Sequence, residues 1–246
     1  MKKNTEGFTL VELAIVMTII GLLIGGVLKG QQLMRNAQIT KSIKQMQSYS
    51  TAFLTFRDTF NYYPGDFASA RQRIPQCDNA HFCLNGNGDN FVGNSRDPSW
   101  DSQINESEAV QFWKHLALAN MIGIIEPSAN PAAPLYGTTH PSSPFGGGYE
   151  FYYDRLMLHG AGGTTDAHSH ILRLSQGGPA GQPRYILSQL EAAQIDRKID
   201  NGDPNSGDII ADYGPSNNEC KGLNSGIGFY KENSRSGGCI LYYQLD

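Results

Sequence analysis

The segment Gly7-Phe8-Thr9-Leu10-Val11-Glu12 opens a predominantly apolar run over residues 8–28. As an α-helix, a run of this length reaches roughly 31 Å, which matches the hydrocarbon thickness of a bilayer. Glu12 is its one charged residue. A carboxylate on an isolated helix in lipid costs on the order of 2.5 to 3.5 kcal/mol, less near the interface. The run therefore predicts a membrane-spanning helix whose acidic residue has a partner.

The residues before this run form a short leader that contains Lys2 and Lys3 and ends in Gly7. A secretory signal sequence has a small-residue cleavage site after its apolar region. No such site follows the run here, because residues 29–32 read Lys-Gly-Gln-Gln. The small residue precedes the apolar part instead. The alternative interpretation of the same residues is an uncleaved signal anchor with an incidental glutamate.

Leader, glycine, phenylalanine and glutamate together resemble the N terminus of the type IV pilins and the type II secretion pseudopilins. The resemblance implies that residues 1–7 are a leader peptide, which a prepilin peptidase removes by cutting between Gly7 and Phe8 before it N-methylates Phe8. It also implies that Glu12 pairs with the Phe8 ammonium of a neighbouring copy in a filament. Such a pair neutralises the charge that is unfavourable in the lone helix. The implied partners are the peptidase, further copies and other pilin-like subunits, an inner-membrane assembly platform and membrane lipid.

Beyond the membrane the helix is predicted to continue, because the first proline after the leader is Pro64. Apolar side chains recur at spacings of three and four residues and form a single stripe. The stripe consists of Ile39, Ile43, Met46, Tyr49 or Ser50, Phe53, Phe56 and Phe60. The pattern predicts one helix over residues 8–61, transmembrane over 8–28 and packed by its stripe against a globular domain over 29–61.

Residues 62–246 are predicted to form one periplasmic domain on an antiparallel sheet, so that the whole chain is α+β and pilin-like. Strand-forming segments occur at residues 149–153, 170–174 and 239–245, and Ser188 opens a capped helix. The 28 glycines and 12 prolines indicate a loop-rich domain. The net charge is −4, and the only basic cluster lies in the leader. No nucleic-acid partner is therefore expected, with a competence-type filament as the exception.

The four cysteines fall into two pairs that are close in sequence, Cys77 with Cys83 and Cys220 with Cys239. Both pairs lie in the part predicted to cross the membrane, where the compartment is oxidising, so two disulfides are predicted. A Zn(Cys)4 site is the alternative. Neither pair has the short gap that is typical of a zinc knuckle.

A glycine-rich loop carries oxygen-bearing side chains at alternate positions, namely Asn85, Asn87 and Asp89. A calcium ion takes six to eight oxygen ligands, and such side chains suit it. Some pseudopilins bind calcium in a loop of the periplasmic domain, so the resemblance supports a structural calcium ion here. The alternative is a plain Asn/Gly turn, which the same residues build. Ligands from outside the loop would be Asp66, Asp97, Asp101 or Glu106.

The histidines and glycines give no catalytic constellation. His168 and His170 share one face of a strand and are candidate zinc ligands, but no metalloprotease motif accompanies them. No Gly-x-Ser-x-Gly nucleophile elbow occurs, so the glycines after His159 are interpreted as a hairpin connection. The sequence therefore predicts a structural subunit and not an enzyme.

The predicted function is that of a subunit of a type II secretion pseudopilus or type IV pilus-like filament. The chain is expected in the inner membrane as a single-pass protein with its C-terminal domain in the periplasm, and in the filament after assembly. The alternative function is a membrane-tethered periplasmic binding or enzymatic module that does not polymerise.

Overall fold

The computed structural model describes residues 9–93, 108–130, 135–155, 168–177, 183–213, 220–224, 227–234 and 238–245. The helices are α1 (Leu10–Phe60), α2 (Ala70–Arg73), α3 (Glu108–Leu118) and α4 (Gln189–Ile199), with one 3-10 turn at Asn79–His81. The strands are β1 (Gly148–Arg155), β2 (His168–Gly177), β3 (Pro183–Arg184), β4 (Ile209–Tyr213), β5 (Lys221–Asn224), β6 (Ile227–Tyr230) and β7 (Cys239–Gln244).

The main sheet has the order β1-β2-β7-β4, and the short β3 pairs with β2. Every pairing in it is antiparallel. The register places Leu172 of β2 opposite Phe151 of β1 and Tyr243 of β7. Strands β5 and β6 form a separate antiparallel hairpin. Together with the long N-terminal helix, this arrangement confirms the predicted α+β, pilin-like architecture.

Helix α1 is 51 residues long, and its observed bounds agree with the prediction of one helix over residues 8–61. Asn61 ends it in the left-handed conformation, with φ of 58°. Residues 10–37 are all exposed, and the first of them to contact the domain by an ion pair is Arg35, which meets Glu191 of α4 at 2.8 Å. The part of α1 before Arg35 therefore projects from the domain by roughly 35 Å at the helical rise per residue. The projecting part contains a stretch apolar enough to cross a membrane.

The second half of α1 packs its apolar stripe into the core of the domain. Phe53 is fully buried, and its ring centroid lies 5.2 Å from that of Tyr63, 5.3 Å from Phe151 and 5.4 Å from His170. Of the predicted stripe, Ile39, Met46, Tyr49, Phe53 and Phe56 are buried, and Ile43 and Phe60 are half-buried. This half of α1 therefore belongs to the folded domain.

Two disulfides brace the domain. Cys77 is bonded to Cys83, and Cys220 is bonded to Cys239, with a Cα–Cα distance of 5.0 Å in each. The second bridge ties the first residue of β7 to the residue before β5. It therefore links the main sheet to the separate hairpin.

The two outer strands of the sheet are covered by loops. On β1, the amide of Tyr149 donates to the carbonyl of Pro141 (3.0 Å), and the amide of Tyr153 donates to Val92 (2.9 Å). On β4, the amide of Ala211 donates to Pro204 (3.0 Å). Covered edges have fewer free backbone groups with which to pair another strand.

Candidate functional site

The acidic residue of the apolar helix is held by the helix's own N-terminus. Thr9 is the N-cap of α1, and its backbone amide and hydroxyl donate to Glu12 Oε2 at 2.9 and 2.8 Å. The Glu12 amide donates back to Thr9 Oγ1 at 3.3 Å. This reciprocal arrangement is a capping box. The predicted cleavage and methylation residues, Gly7 and Phe8, lie outside the described residues.

The capping box gives Glu12 a partner that the sequence-based prediction did not include. The pattern Thr9-Leu10-Val11-Glu12 has the Thr-x-x-Glu spacing of a capping box, so the signal was present in the sequence. The Glu12 carboxylate therefore has hydrogen-bond partners within its own chain. These partners are neutral, so they do not supply the opposite charge that an ammonium would. Pairing of Glu12 with another copy stays a prediction.

The projecting half of α1 has an apolar surface that the rest of the described chain does not cover. Leu10 is 91% exposed and Leu22 is 77% exposed. Gly21, Gly25 and Gly26 have nothing within 4 Å of the position that a β-carbon would occupy. In lipid, small residues on such a surface let another helix approach closely. The surface is suited to lipid and to other helices.

The predicted calcium loop lies beside two carboxylates from outside it, those of Asp66 and Glu108. Ligand oxygens of Asp66, Asp89 and Glu108 all lie within 4.8 Å of one another. Asn87 lies beside them, and its side-chain nitrogen Nδ2 donates to Asp89 Oδ2 at 3.0 Å. Asn85 is not part of this group, because its side-chain oxygen accepts from the amide of Arg71 at 2.9 Å. The predicted ligands Asn87, Asp89 and Asp66 thus lie close together in the structure. The other candidates, Asp97, Asp101 and Glu106, lie outside the described residues.

Backbone amides of the loop donate to buried Asp66 and to half-buried Glu108. Asp66 Oδ1 accepts from Gly88 (2.5 Å) and Asp89 (3.1 Å), and its Oδ2 accepts from Asn90 (2.7 Å). Glu108 accepts from the amides of Asn87 (2.8 Å) and Gly93 (3.0 Å). Glu108 was not among the ligands predicted from the sequence. A glutamate in the first turn of α3, opposite a glycine-rich loop, was the available signal.

The protonation of this cluster depends on its surroundings. Burial raises the pKa of the Asp66 and Glu108 carboxyls, although the loop amides oppose the shift. The charge of Asp89 raises both pKa values further. From the described residues, each Glu108 oxygen and Asp66 Oδ2 accept one hydrogen bond, and a carboxylate oxygen has room for two. The oxygen donors therefore fit a hard cation such as calcium, which stays a prediction.

Calcium is expected to raise the melting temperature of the full chain in detergent at neutral pH, by roughly 5 °C or more at a hundredfold excess over Kd. The size of this calcium effect is expected to grow as the pH rises. Folding raises the pKa of Asp66 and Glu108 and so favours their protonated forms at low pH, whereas calcium binds the ionised carboxylates. The measurement is thermal unfolding at several pH values with and without calcium.

The matched control for this experiment is Glu126→Gln, which removes an exposed carboxylate outside the cluster. It should keep the full calcium response, whereas Glu108→Gln should lose it. A melting temperature that ignores calcium at neutral pH in the wild type would rule out the ion.

His170, a candidate zinc ligand by its sequence position, is a core residue. Its ring centroid lies 4.3 Å from that of Tyr63 and 4.9 Å from that of Tyr153. The side chains of His159 and His168 lie outside the described part. A second buried histidine, His115, accepts from the Gly65 amide at Nδ1 (2.9 Å) and contacts the Leu84 carbonyl through Nε2 (2.8 Å). Both histidines are thus placed to support packing.

Comparison with known proteins bears on the N-terminal segment. Residues 2–28 match the family model of the prokaryotic N-terminal methylation motif, the prepilin cleavage motif of type IV pilins and pseudopilins. No curated protein and no solved structure matches the chain. The match ends where the predicted membrane span ends and does not extend to the domain.

Proposed function

We propose that the chain is a structural subunit of a type II secretion pseudopilus or type IV pilus-like filament. In this proposal a prepilin peptidase removes residues 1–7 and methylates Phe8, and the mature chain stays in the inner membrane through α1. The domain lies in the periplasm until the subunit enters the filament. The work of the protein is mechanical and needs no catalytic residue.

The observation that carries this proposal is that the exposed apolar half of α1 coincides with a prepilin motif. The motif covers residues 2–28, and residues 10–28 of α1 are all exposed. A helix of this kind can be held by lipid before assembly and by neighbouring helices afterwards. One surface therefore serves both the membrane-inserted and the assembled state.

The covered sheet edges support assembly through the helix and not through the sheet. Loops occupy hydrogen-bonding groups on the outer sides of β1 and β4. Addition of a strand from another copy would have to displace them. A helical polymer requires a contact that joins two different surfaces of neighbouring copies, and the projecting helix offers one of these surfaces.

Cleavage is the first expected result. Co-expression with a prepilin peptidase should yield a chain that begins at Phe8 and carries one N-methyl group, detected by intact mass and N-terminal sequencing. Gly7→Val should block cleavage, because a branched side chain replaces the small residue at the cleavage position. Glu6→Gln in the same leader is the matched control and should be cut normally.

The alternative function, a tethered periplasmic module, makes the opposite prediction. Such a protein would keep its first seven residues and remain monomeric in the membrane. An uncut wild-type chain in the presence of active peptidase would therefore overturn the filament proposal.

A further inference from the structure

We infer that an exposed basic face of α1 docks onto an acidic turn at the far end of another copy of this chain. The inference rests on the proposed filament function and specifies which surfaces of the domain meet. The basic face is the groove beside Lys41 and Lys44, and the acidic turn comprises residues 200–208. The contact joins two different surfaces, so it propagates along a filament and does not close a dimer.

The basic face lies where α1 first enters the domain. A shallow, mainly apolar groove runs along it, and its lining includes Ala37, Thr40, Lys41, Lys44, Ser48 and Ile124. Ile124 is 47% exposed. Both lysines are exposed, and within the described residues neither makes an ion pair or side-chain hydrogen bond. The groove therefore suits a partner that brings carboxylates.

The acidic turn connects α4 to β4 and carries Asp200, Asp203 and Asp208. Asp200 Oδ2 accepts from the amide of Asp208 at 2.5 Å, and Asp203 Oδ1 accepts from the amide of Asn205 at 3.0 Å. These bonds fix the shape of the turn. The Asp208 side chain is exposed and makes no hydrogen bond or ion pair in the part of the chain that the structure describes. The turn is thus a rigid negative surface.

The two surfaces lie at opposite ends of the domain. Near the groove, Gln45 donates to the carbonyl of Ser142 at 3.1 Å, in the segment that leads into β1. At the other end, the carbonyl of Asp208 accepts from the amide of Gln244, and the following amide, that of Leu245, donates to the carbonyl of His170. His170 packs against Phe53, far along α1. The groove lies near the membrane and the turn lies remote from it, so the two surfaces cannot contact each other within one copy.

Another copy is favoured over anionic lipid as the occupant. Lys41 lies about 20 Å of helix beyond Leu28, whereas the headgroup region extends only about 5 to 8 Å beyond the hydrocarbon core. The lysines are therefore out of reach of lipid headgroups. Another copy carries the complementary charge, and a filament keeps all copies in one orientation.

The offset between copies is consistent with a helical array. The acidic turn lies near the level of Phe53 to Phe60 along α1, and residues 41–44 lie roughly 13 to 28 Å closer to the membrane. A copy that is shifted along the helix axis by that distance brings its turn to the groove. Pairing of Glu12 with Phe8 of another copy needs a shift of only about 6 Å. The two contacts therefore link different pairs of copies, as expected when each subunit of a helical filament touches several others.

The test uses the full chain in membranes that assemble filaments, with zero-length carbodiimide cross-linking. Light and heavy isotope-labelled copies are mixed, so that a peptide pair carrying both labels must come from two copies. Cross-links between Lys41 or Lys44 and Asp203 or Asp208 are expected. Lys41→Glu with Lys44→Glu should lower the cross-linked or assembled fraction about tenfold, and so should Asp203→Asn with Asp208→Lys.

Co-expression of these two variants should restore assembly. The reversed groove of the first can meet the new lysine in the turn of the second, and the unchanged groove of the second can meet the unchanged turn of the first. The control pair Lys198→Glu and Asp58→Lys changes exposed charges outside both surfaces and should assemble normally. Normal assembly of both the groove variant and the turn variant, or no mixed-label cross-link in wild-type filaments, would overturn the inference while leaving the proposed function intact. Absence of any wild-type filament would instead count against the proposed function.

Discussion

Glu12→Ala is expected to abolish filament assembly while leaving the chain inserted in the membrane. Removal of the carboxylate makes the apolar helix more hydrophobic, so insertion should be unimpaired. The same change removes the charge that would meet the methylated ammonium of another copy. The measurement compares the membrane-bound fraction with the sheared, sedimentable filament fraction. We expect the first to equal wild type and the second to fall below detection.

Glu12→Gln separates the two roles that the structure suggests for this residue. Glutamine retains the capping-box hydrogen bonds with Thr9 but has no charge. If an ion pair between copies drives assembly, Glu12→Gln should fail like Glu12→Ala. Thr9→Val is the reciprocal variant, since it removes the cap hydroxyl and keeps the charge, and it should assemble. Assembly of Glu12→Gln at the wild-type level would show that Glu12 acts as a helix cap alone.

The long helix could be predicted from the sequence because its evidence is local. The apolar run, the three-and-four spacing of the stripe and the absence of proline before Pro64 each follow from helical geometry. The same holds for α4, where Ser188 and Glu191 form the predicted capping box. The exact ends of helices were harder to predict. Helix α3 ends at Leu118, where no glycine or proline follows at once, and Asn120 turns the chain with φ of 57°.

Contacts between distant segments could not be predicted from the sequence. Glu150 and Arg173 form a buried ion pair with an Oε2–Nη2 distance of 2.6 Å, and Ser175 donates to the same oxygen at 2.8 Å. The sequence does not indicate that Glu150 and Arg173 are buried. The alternation of side chains along a strand predicts which residues share a face of the sheet and not what covers that face. The pair depends on the antiparallel register of β1 with β2. The role of Glu108 was missed for a similar reason, since its loop partners lie fifteen or more positions away.

The second large effect is expected from Phe53→Ala in the core. Phe53 is fully buried, and its ring contacts Tyr63, Phe151 and His170, so it joins α1 to the sheet and to the chain after the helix. Truncation of a buried phenylalanine to alanine costs about 3 to 5 kcal/mol. For a chain of this size that corresponds to a fall in melting temperature of roughly 6 to 20 °C.

Thermal unfolding of the full chain in detergent measures this loss. Thr51→Ala is the matched control, because Thr51 lies two residues earlier on the exposed face of α1 and its hydroxyl bonds only to the carbonyl of Gln47. Its effect should stay within about 0.5 kcal/mol. If Phe53→Ala melted together with Thr51→Ala, the second half of α1 would not be part of the domain core. The domain would then be free to move on its helix, and a force applied through α1 during assembly would not reach the sheet.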